Sequence, residues 1–204
     1  MADIVVLGRE RAGSAAEALA ASHAGYPAFR HVFPHPRRRQ RALRAFFAAT
    51  VADAVPFGAV FGAVDGPAVL GVAAWLPPGA FPWSAGRKAR ATPAFLRVFL
   101  ADPRAFRTFA RVGANAERAH PAEPHWFLEV LGIRPGAQRQ GLGTRLMAPA
   151  LEQADGSGMP CALETSDPAN VAYYRRFGFE VVDESLALVP GGPTHVAMRR
   201  PPGG

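Results

Sequence analysis

The residues whose types and spacing could do chemistry lie between Trp126 and Phe179. In the run Leu131-Gly132-Ile133-Arg134-Pro135-Gly136-Ala137-Gln138-Arg139-Gln140-Gly141-Leu142-Gly143-Thr144, an apolar stretch of strand character passes through a loop into helical spacing. Gly141 and Gly143 remove side chains where the first helical turn begins, so unpaired backbone N–H groups can approach an anion closely. The helix dipole adds to the attraction, and Gln138, Arg139 and Thr144 can supply polar contacts at the rim. A pyrophosphate is the natural occupant, although two glycines at a tight turn can also be purely structural. A dinucleotide-binding turn would need a third glycine where Leu146 stands and an acid about twenty residues on, near Glu164. The missing glycine, and the shortage of βα units after the motif, make that reading the weaker one.

Two carboxyl groups and a tyrosine complete the candidate set. Glu129 sits within Trp126 to Ile133, a strand apolar enough to be buried on both faces. There it is either a desolvated carboxyl whose pKa rises towards neutrality or a structural partner of one of the many arginines. Asp167 followed by Pro168 forms a helix start, which puts Asn170 and Tyr174, four residues apart, on one face of a short helix that Gly178 closes. Tyr173 points about 100° away and is expected to pack with Phe177 in the core. Glu164 ends a second apolar strand, where it can orient a ligand or bond a neighbouring loop. The six histidines have no metal-ligand spacing, His125 reads as a strand-boundary residue, and Cys161 lacks a setting that would lower its pKa.

The elements that must position these groups follow from periodicity. A strand is expected at 3–7, helices at 12–23 and 37–52, and a hairpin of strands 57–64 and 68–76 around Asp65-Gly66-Pro67. Residues 77–124 are Pro-rich, with helical material around 95–109. Strand 126–133, a helix from 141 to 154 bent at Pro149, strand 161–165, helix 168–177, and strands 179–188 and 195–198 follow. The alternation predicts one α/β domain over residues 1–204, with a mixed sheet and 77–124 as an appended segment.

Gln138-Arg139-Gln140-Gly141-Leu142-Gly143 resembles the Q/R-x-x-G-x-G/A signature of the GNAT N-acetyltransferases. Asn170 with Tyr173-Tyr174-Arg175-Arg176-Phe177-Gly178-Phe179 resembles the family's Asn…Tyr-x-x-x-Gly-Phe segment. Together with Trp126-Phe127-Leu128 and Leu163-Glu164-Thr165-Ser166, these motifs are similar to the puromycin N-acetyltransferase-like branch over residues 125–200. The resemblance implies a GNAT fold, a mixed and mostly antiparallel sheet flanked by helices with one splayed strand pair. It also implies acetyl-CoA as cosubstrate and no metal. The pyrophosphate would lie on Gln138, Arg139, Gln140, Gly141, Leu142, Gly143 and Thr144, and the pantetheine arm along Leu131, Gly132 and Ile133, with Asn170 and Tyr174 contacting the coenzyme. An amine then attacks directly in a ternary complex, Glu129 or a water chain takes its proton, and Tyr174 serves the departing thiolate. Tyr26, Trp126 and Glu164 are the expected acceptor contacts, with Phe29, His31, Phe81 and Trp83 forming either an aromatic wall or ordinary core.

Composition bounds the alternatives. A chain of 204 residues, 49% hydrophobic, builds one real core, and a single cysteine permits no internal disulfide. The net charge of +7 rests almost wholly on arginine, and its densest run, Arg37-Arg38-Arg39-Gln40-Arg41 with Arg44, is either a solvated helix face or a polyanion contact. With no apolar leader or membrane-length run, the expectation is a cytoplasmic protein with a small-molecule amine as partner, no nucleic acid and no membrane, and a possible homodimer. A non-catalytic acyl-CoA sensor and a basic nucleic-acid-binding module are the competing readings.

Overall fold

The structure is a computed structural model, which describes residues 2–203. A seven-stranded sheet runs in the order β1-β2-β3-β4-β5-β7-β6, formed by β1 (Asp3–Val6), β2 (Val60–Asp65), β3 (Ala68–Leu76), β4 (Trp126–Ile133), β5 (Cys161–Thr165), β6 (Glu180–Leu186) and β7 (His195–Arg200). Only β4 and β5 pair in parallel; every other ladder is antiparallel. This is the mixed, mostly antiparallel sheet that the motifs imply, and it is incompatible with a doubly wound dinucleotide domain, whose sheet is mostly parallel.

Helices cover both faces. One face packs α6 (Leu142–Gly156) over Trp126, Leu128, Leu163 and Met198. The other packs α1 (Ala12–Ser22) and α3 (Pro36–Ala54) over Val60, Val72, Ala74 and Val130. A third apolar cluster joins α3 to α2 (Pro27–Val32), α4 (Ala85–Ala101) and α5 (Pro103–Ala119). The helical material expected around 95–109 is two helices: Pro103 cannot continue α4, and Asp102 caps α5 by accepting from the Ala105 N–H (3.2 Å). The turn expected at Gly25 to Pro27 runs straight into α2, with Pro27 at its first position, where proline is tolerated. The arginine run lies on α3, where Arg37, Arg38, Arg41 and Arg44 are exposed.

Two irregularities of β4 shape everything downstream. Against β3, Ala74 pairs with Val130 but the next residue, Trp75, pairs with Leu128. Glu129 is therefore the extra residue of a β-bulge, which re-aims its side chain. Against β5, the ladder runs only from Trp126↔Cys161 to Leu128↔Leu163, although β4 continues to Ile133 and remains paired there with β3. Beyond Leu128 the edge of β4 that faces β5 is thus unpaired. At Gly132 the backbone meets α1 closely: a Cβ would stand 2.2 Å from Ser22 Oγ and 3.0 Å from Leu19 Cδ2. Gly132→Ala should push α1 off the sheet and cost about 2 kcal/mol of stability, measurable by urea unfolding.

Candidate functional site

The glycine loop has the geometry of an anion cradle. Arg139 (φ 61°) and Gly141 (φ 73°) both adopt left-handed backbone, and Gly141 is the N-cap residue of α6. The first helical hydrogen bond runs from the Arg145 N–H to the Gly141 carbonyl (3.2 Å), so the N–H groups of Leu142, Gly143 and Thr144 have no acceptor within their own helix. The two glycines serve different ends. A Cβ at Gly141 would meet nothing within 4 Å, whereas one at Gly143 would lie 2.6 Å from the Tyr173 hydroxyl. Gly141 is required by its φ, and Gly143 by the approach of α7 (Ala169–Arg175) to α6. Tyr173 accordingly belongs partly to this loop: it packs edge-on against Phe177 (5.1 Å between centroids), as expected, but its hydroxyl reaches the glycine turn. Gln138 is exposed and its Nε2 donates to the Ile133 carbonyl (3.2 Å), joining the loop to the end of β4.

From the unpaired edge of β4 a cavity of about 610 Å³ opens beneath α2, α3 and the α4–α5 hairpin. Glu129, Val130 and Leu131 of β4, Glu164 of β5 and His195 of β7 line it, with Asn170 and Tyr174 contributed by α7. Phenylalanines of α2 to α5, with Phe81 and Trp83, supply most of the remaining wall. A second depression, along Arg175 and Gly178–Glu184, lies at the edge strand β6, and its charged side chains are solvent-exposed.

Burial governs the titrating groups in the cavity. Desolvation pushes the Glu129 carboxyl up to about 8; neighbouring Asp53 adds to the shift, while Arg87 and the Trp83 indole oppose it. Glu129 Oε2 and Trp83 Nε1 are both buried without a well-formed hydrogen bond. Arg87 does not pair with Glu129. It is held instead by Asp53, with Nε donating to Oδ1 at 2.8 Å and Nη2 to Oδ2, while Nη1 donates to the Ala80 carbonyl. The guanidinium also stacks over Phe57 (5.1 Å) and Trp83 (5.6 Å). Among the described residues no arginine forms an ion pair with Glu129, and burial raises its carboxyl. Burial also raises the Tyr174 phenol, with Tyr26 and Tyr173 beside it, and so keeps it a hydrogen-bond donor. His23 is driven down to about 4 by burial; its Nδ1 bonds the Leu19 carbonyl (3.0 Å) and Ser22 Oγ (2.9 Å).

Of the residues singled out in the sequence, Tyr26, Glu129, Leu131, Glu164, Asn170 and Tyr174 line the cavity, and those of the glycine loop lie outside its lining. Tyr26 lines the cavity but its hydroxyl is committed, contacting Thr165 Oγ1 (2.7 Å) and accepting from the Ser166 N–H (2.8 Å). Asn170 Nδ2 donates to the same Thr165 hydroxyl (3.2 Å), so Thr165 ties α2, β5 and α7 together. Trp126, expected at the acceptor wall, is corrected: alternation along β4 turns it to the opposite face, into the core under α6. His31, grouped with the aromatic wall, lies outside the cavity lining, whereas Phe29, Phe81 and Trp83 are part of it. The Asp53–Arg87 pair was not legible, because its partners are 34 positions apart with no local signal. His195 could have been found, since alternation along β7 sets it on the face opposite Met198. Cys161 is buried and its thiol is pushed up to about 11, as befits an inert side chain. Among the described residues no helix is long and apolar enough to cross a membrane, and no group of three or more His, Cys, Asp or Glu could hold a metal ion.

A parallel strand pair that splays at a bulge, followed by a glycine loop and a helix, defines an acyltransferase class of fold. The acetyltransferase (GNAT) family profile matches residues 23–179, and the chain belongs to that family. Over 85 residues it is 36% identical to a mycothiol acetyltransferase of Streptomyces scabiei, a match covering 40% of this chain and 28% of that protein. The chain therefore matches well under half the length of these curated relatives. Among solved structures it resembles a Corynebacterium glutamicum protein described as histone acetyltransferase HPA2 and related acetyltransferase (TM-score 0.68, 22% identity, covering 100% of this chain and 97% of that one). It also resembles the PaiA N-acetyltransferase of Thermoplasma acidophilum, solved in complex with coenzyme A (TM-score 0.56, 12% identity, covering 98% and 99%). At these identities the likeness shows the shared fold.

The packing of Gly143 against Tyr173 is open to a double-mutant cycle. Gly143→Ala should weaken coenzyme A binding by roughly tenfold in calorimetric titration, and in a Tyr173→Phe background the loss should shrink markedly, because the clash is with the hydroxyl.

Proposed function

We propose that the protein is an acetyl-coenzyme A-dependent N-acetyltransferase acting on a primary amine carried by a small apolar or aromatic molecule. The observation that carries this reading is the continuity of the unpaired β4 edge with an aromatic cavity that is lined by a buried Tyr174 and a half-buried Glu129 whose Oε2 is shielded from solvent. The N–H groups at the start of α6 fit a pyrophosphate, and the free edge of Glu129 to Ile133 fits the amides of a pantetheine arm. The coenzyme supplies an acetyl thioester, the electrophile. The chain's own residues do the rest. Aromatic walls exclude water and hold the amine near the β4 edge, where positioning contributes much of the acceleration. Glu129, a weak acid in this setting, takes the proton that the amine must lose as it bonds to the acetyl carbon. Tyr174, held protonated, donates a hydrogen bond to the leaving sulfur.

Both roles are open to kinetics. A carboxyl titrating at about 8 is protonated below that pH and useful as a base above it. With an acceptor whose own pKa lies far from 8, kcat/KM should climb with pH and level off near 8. Glu129→Gln should be slower by roughly 10²-fold and lack that break; a break that persists in the variant would remove Glu129 from the role. Tyr174→Phe should lower kcat by about 10²-fold with little change in coenzyme affinity, in stopped assays of acetylated product.

Coenzyme binding itself is checked by titrating acetyl-CoA into wild type and into the Gly141→Asp, Gly143→Asp double variant. Binding lost in the variant supports the cradle and justifies screening amines, beginning with puromycin, to which the motif resemblance points. No binding by folded wild type sinks the transferase reading.

A further inference from the structure

The floor of the cavity holds a second polar pair that the transfer chemistry does not use. The register Glu164↔Ala197 and Thr165↔Val196 sets His195, two residues before Ala197, on the same face of the sheet as Glu164 and at a diagonal cross-strand position. Both side chains line the cavity. His195 is 8% exposed and its Nδ1 has no hydrogen-bond partner. Glu164 is half-buried, and among the described residues it makes no hydrogen bond or ion pair; desolvation alone pushes it up to about 7. Burial also drives His195 down to about 4, so that its imidazole is neutral near physiological pH.

Two donors that line the cavity are engaged elsewhere, Lys88 Nζ with Glu117 (2.8 Å) and Asn170 Nδ2 with the Thr165 hydroxyl (3.2 Å), and the Trp83 indole acts on Glu129 rather than on this pair. The floor thus presents a carboxyl and an imidazole Nδ1 that no described residue bonds, and with the imidazole proton on Nε2 both are acceptors facing a mostly apolar chamber. Groups of that kind are costly to bury unless a ligand completes them. A hydroxyl has one proton to give, whereas an ammonium, amidine or guanidinium has several and also brings the charge that lets Glu164 ionise. Paired strands lie about 4.8 Å apart, and since β4 has parted from β5 at Glu129 and His195 lies two residues along β7 from the partner of Glu164, the two positions stand more than about 10 Å apart at the backbone.

We infer that Glu164 and His195 form a docking site for a second, cationic group of the acceptor, so that the preferred substrate is a compact diamine or amidine-bearing amine with a flat apolar spacer. This rests on the transferase reading and names its substrate class. One nitrogen loses its proton and is acetylated near Glu129, while the other remains charged on Glu164 and His195.

The test compares 1,4-bis(aminomethyl)benzene with 4-methylbenzylamine, which has the same body and reactive amine but a methyl group in place of the second aminomethyl. Wild type should favour the diamine in kcat/KM by at least tenfold, well beyond the factor of two from its having two reactive amines. Glu164→Gln should cut that ratio at least fivefold, as should His195→Phe, while His195→Asn, whose amide oxygen can stand in for Nδ1, should keep most of it. Thermal melts check that the variants fold, and Glu164→Gln decides the matter if His195→Phe does not. A wild-type ratio near two, or a ratio unchanged in Glu164→Gln, overturns the inference. So does a wild type that binds acetyl-CoA and acetylates neither amine, whereas a folded wild type that does not bind acetyl-CoA overturns the transferase reading beneath it.

Discussion

The structure depends on a conflict imposed on β4. On one edge the strand must stay paired with β3 as far as Ile133, and on the other it parts from β5 after Leu128. A regular strand presents both edges alike, and a buried unpaired edge leaves backbone groups unsatisfied. The bulge at Glu129 falls at the point of divergence, where one extra residue increases the local twist and breaks the alternation. A cleft opens between two strands of an otherwise continuous sheet, and the one acidic side chain of β4 is delivered into it.

That delivery has an energetic cost which the surroundings leave in place. Arg87 is close enough to Glu129 to influence its ionisation, yet its guanidinium is shared between Asp53 and the Ala80 carbonyl. A direct Arg87–Glu129 pair would have stabilised the carboxylate and held its pKa low. By engaging the arginine, Asp53 keeps Glu129 a weak acid, and the same contacts fasten α4 to α3 and bring Trp83 into the chamber wall. A cleft carboxyl with a raised pKa is a pattern that recurs at functional sites.

The remaining architecture divides the labour between the two faces of the sheet. The face under α6 is solid core, with Leu146, Met147 and Met198 almost wholly shielded from solvent and Trp126 buried beside them. The other face is solid under α1 and α3 but hollow further along, where α2, α4 and α5 roof the floor formed by β4, β5 and β7. Thr165 sits at the junction, its hydroxyl shared by Tyr26 and Asn170, so that one small side chain fixes the roof, the floor and α7 relative to one another.

The glycine loop, the start of α6 and the Asn170–Tyr174 face were legible in the sequence because each rests on neighbours within a few positions: a glycine with positive φ, a helix N-terminus, an i,i+4 spacing. The mixed, mostly antiparallel character of the sheet was legible through the motifs that carry the family resemblance. Periodicity could not divide α4 from α5 correctly, since their apolar residues serve a chamber wall rather than one continuous stripe. Trp126 was misassigned to the acceptor wall because an aromatic residue type does not say which face of its strand meets the cavity. Only tertiary structure decided that Glu129 lies on a bulge, that Asp53 occupies Arg87, and that His195 stands beside Glu164 on the cavity floor. Each is set by contacts between residues far apart in the chain, and those exist only once the sheet has closed its ladders and the helices have docked on it.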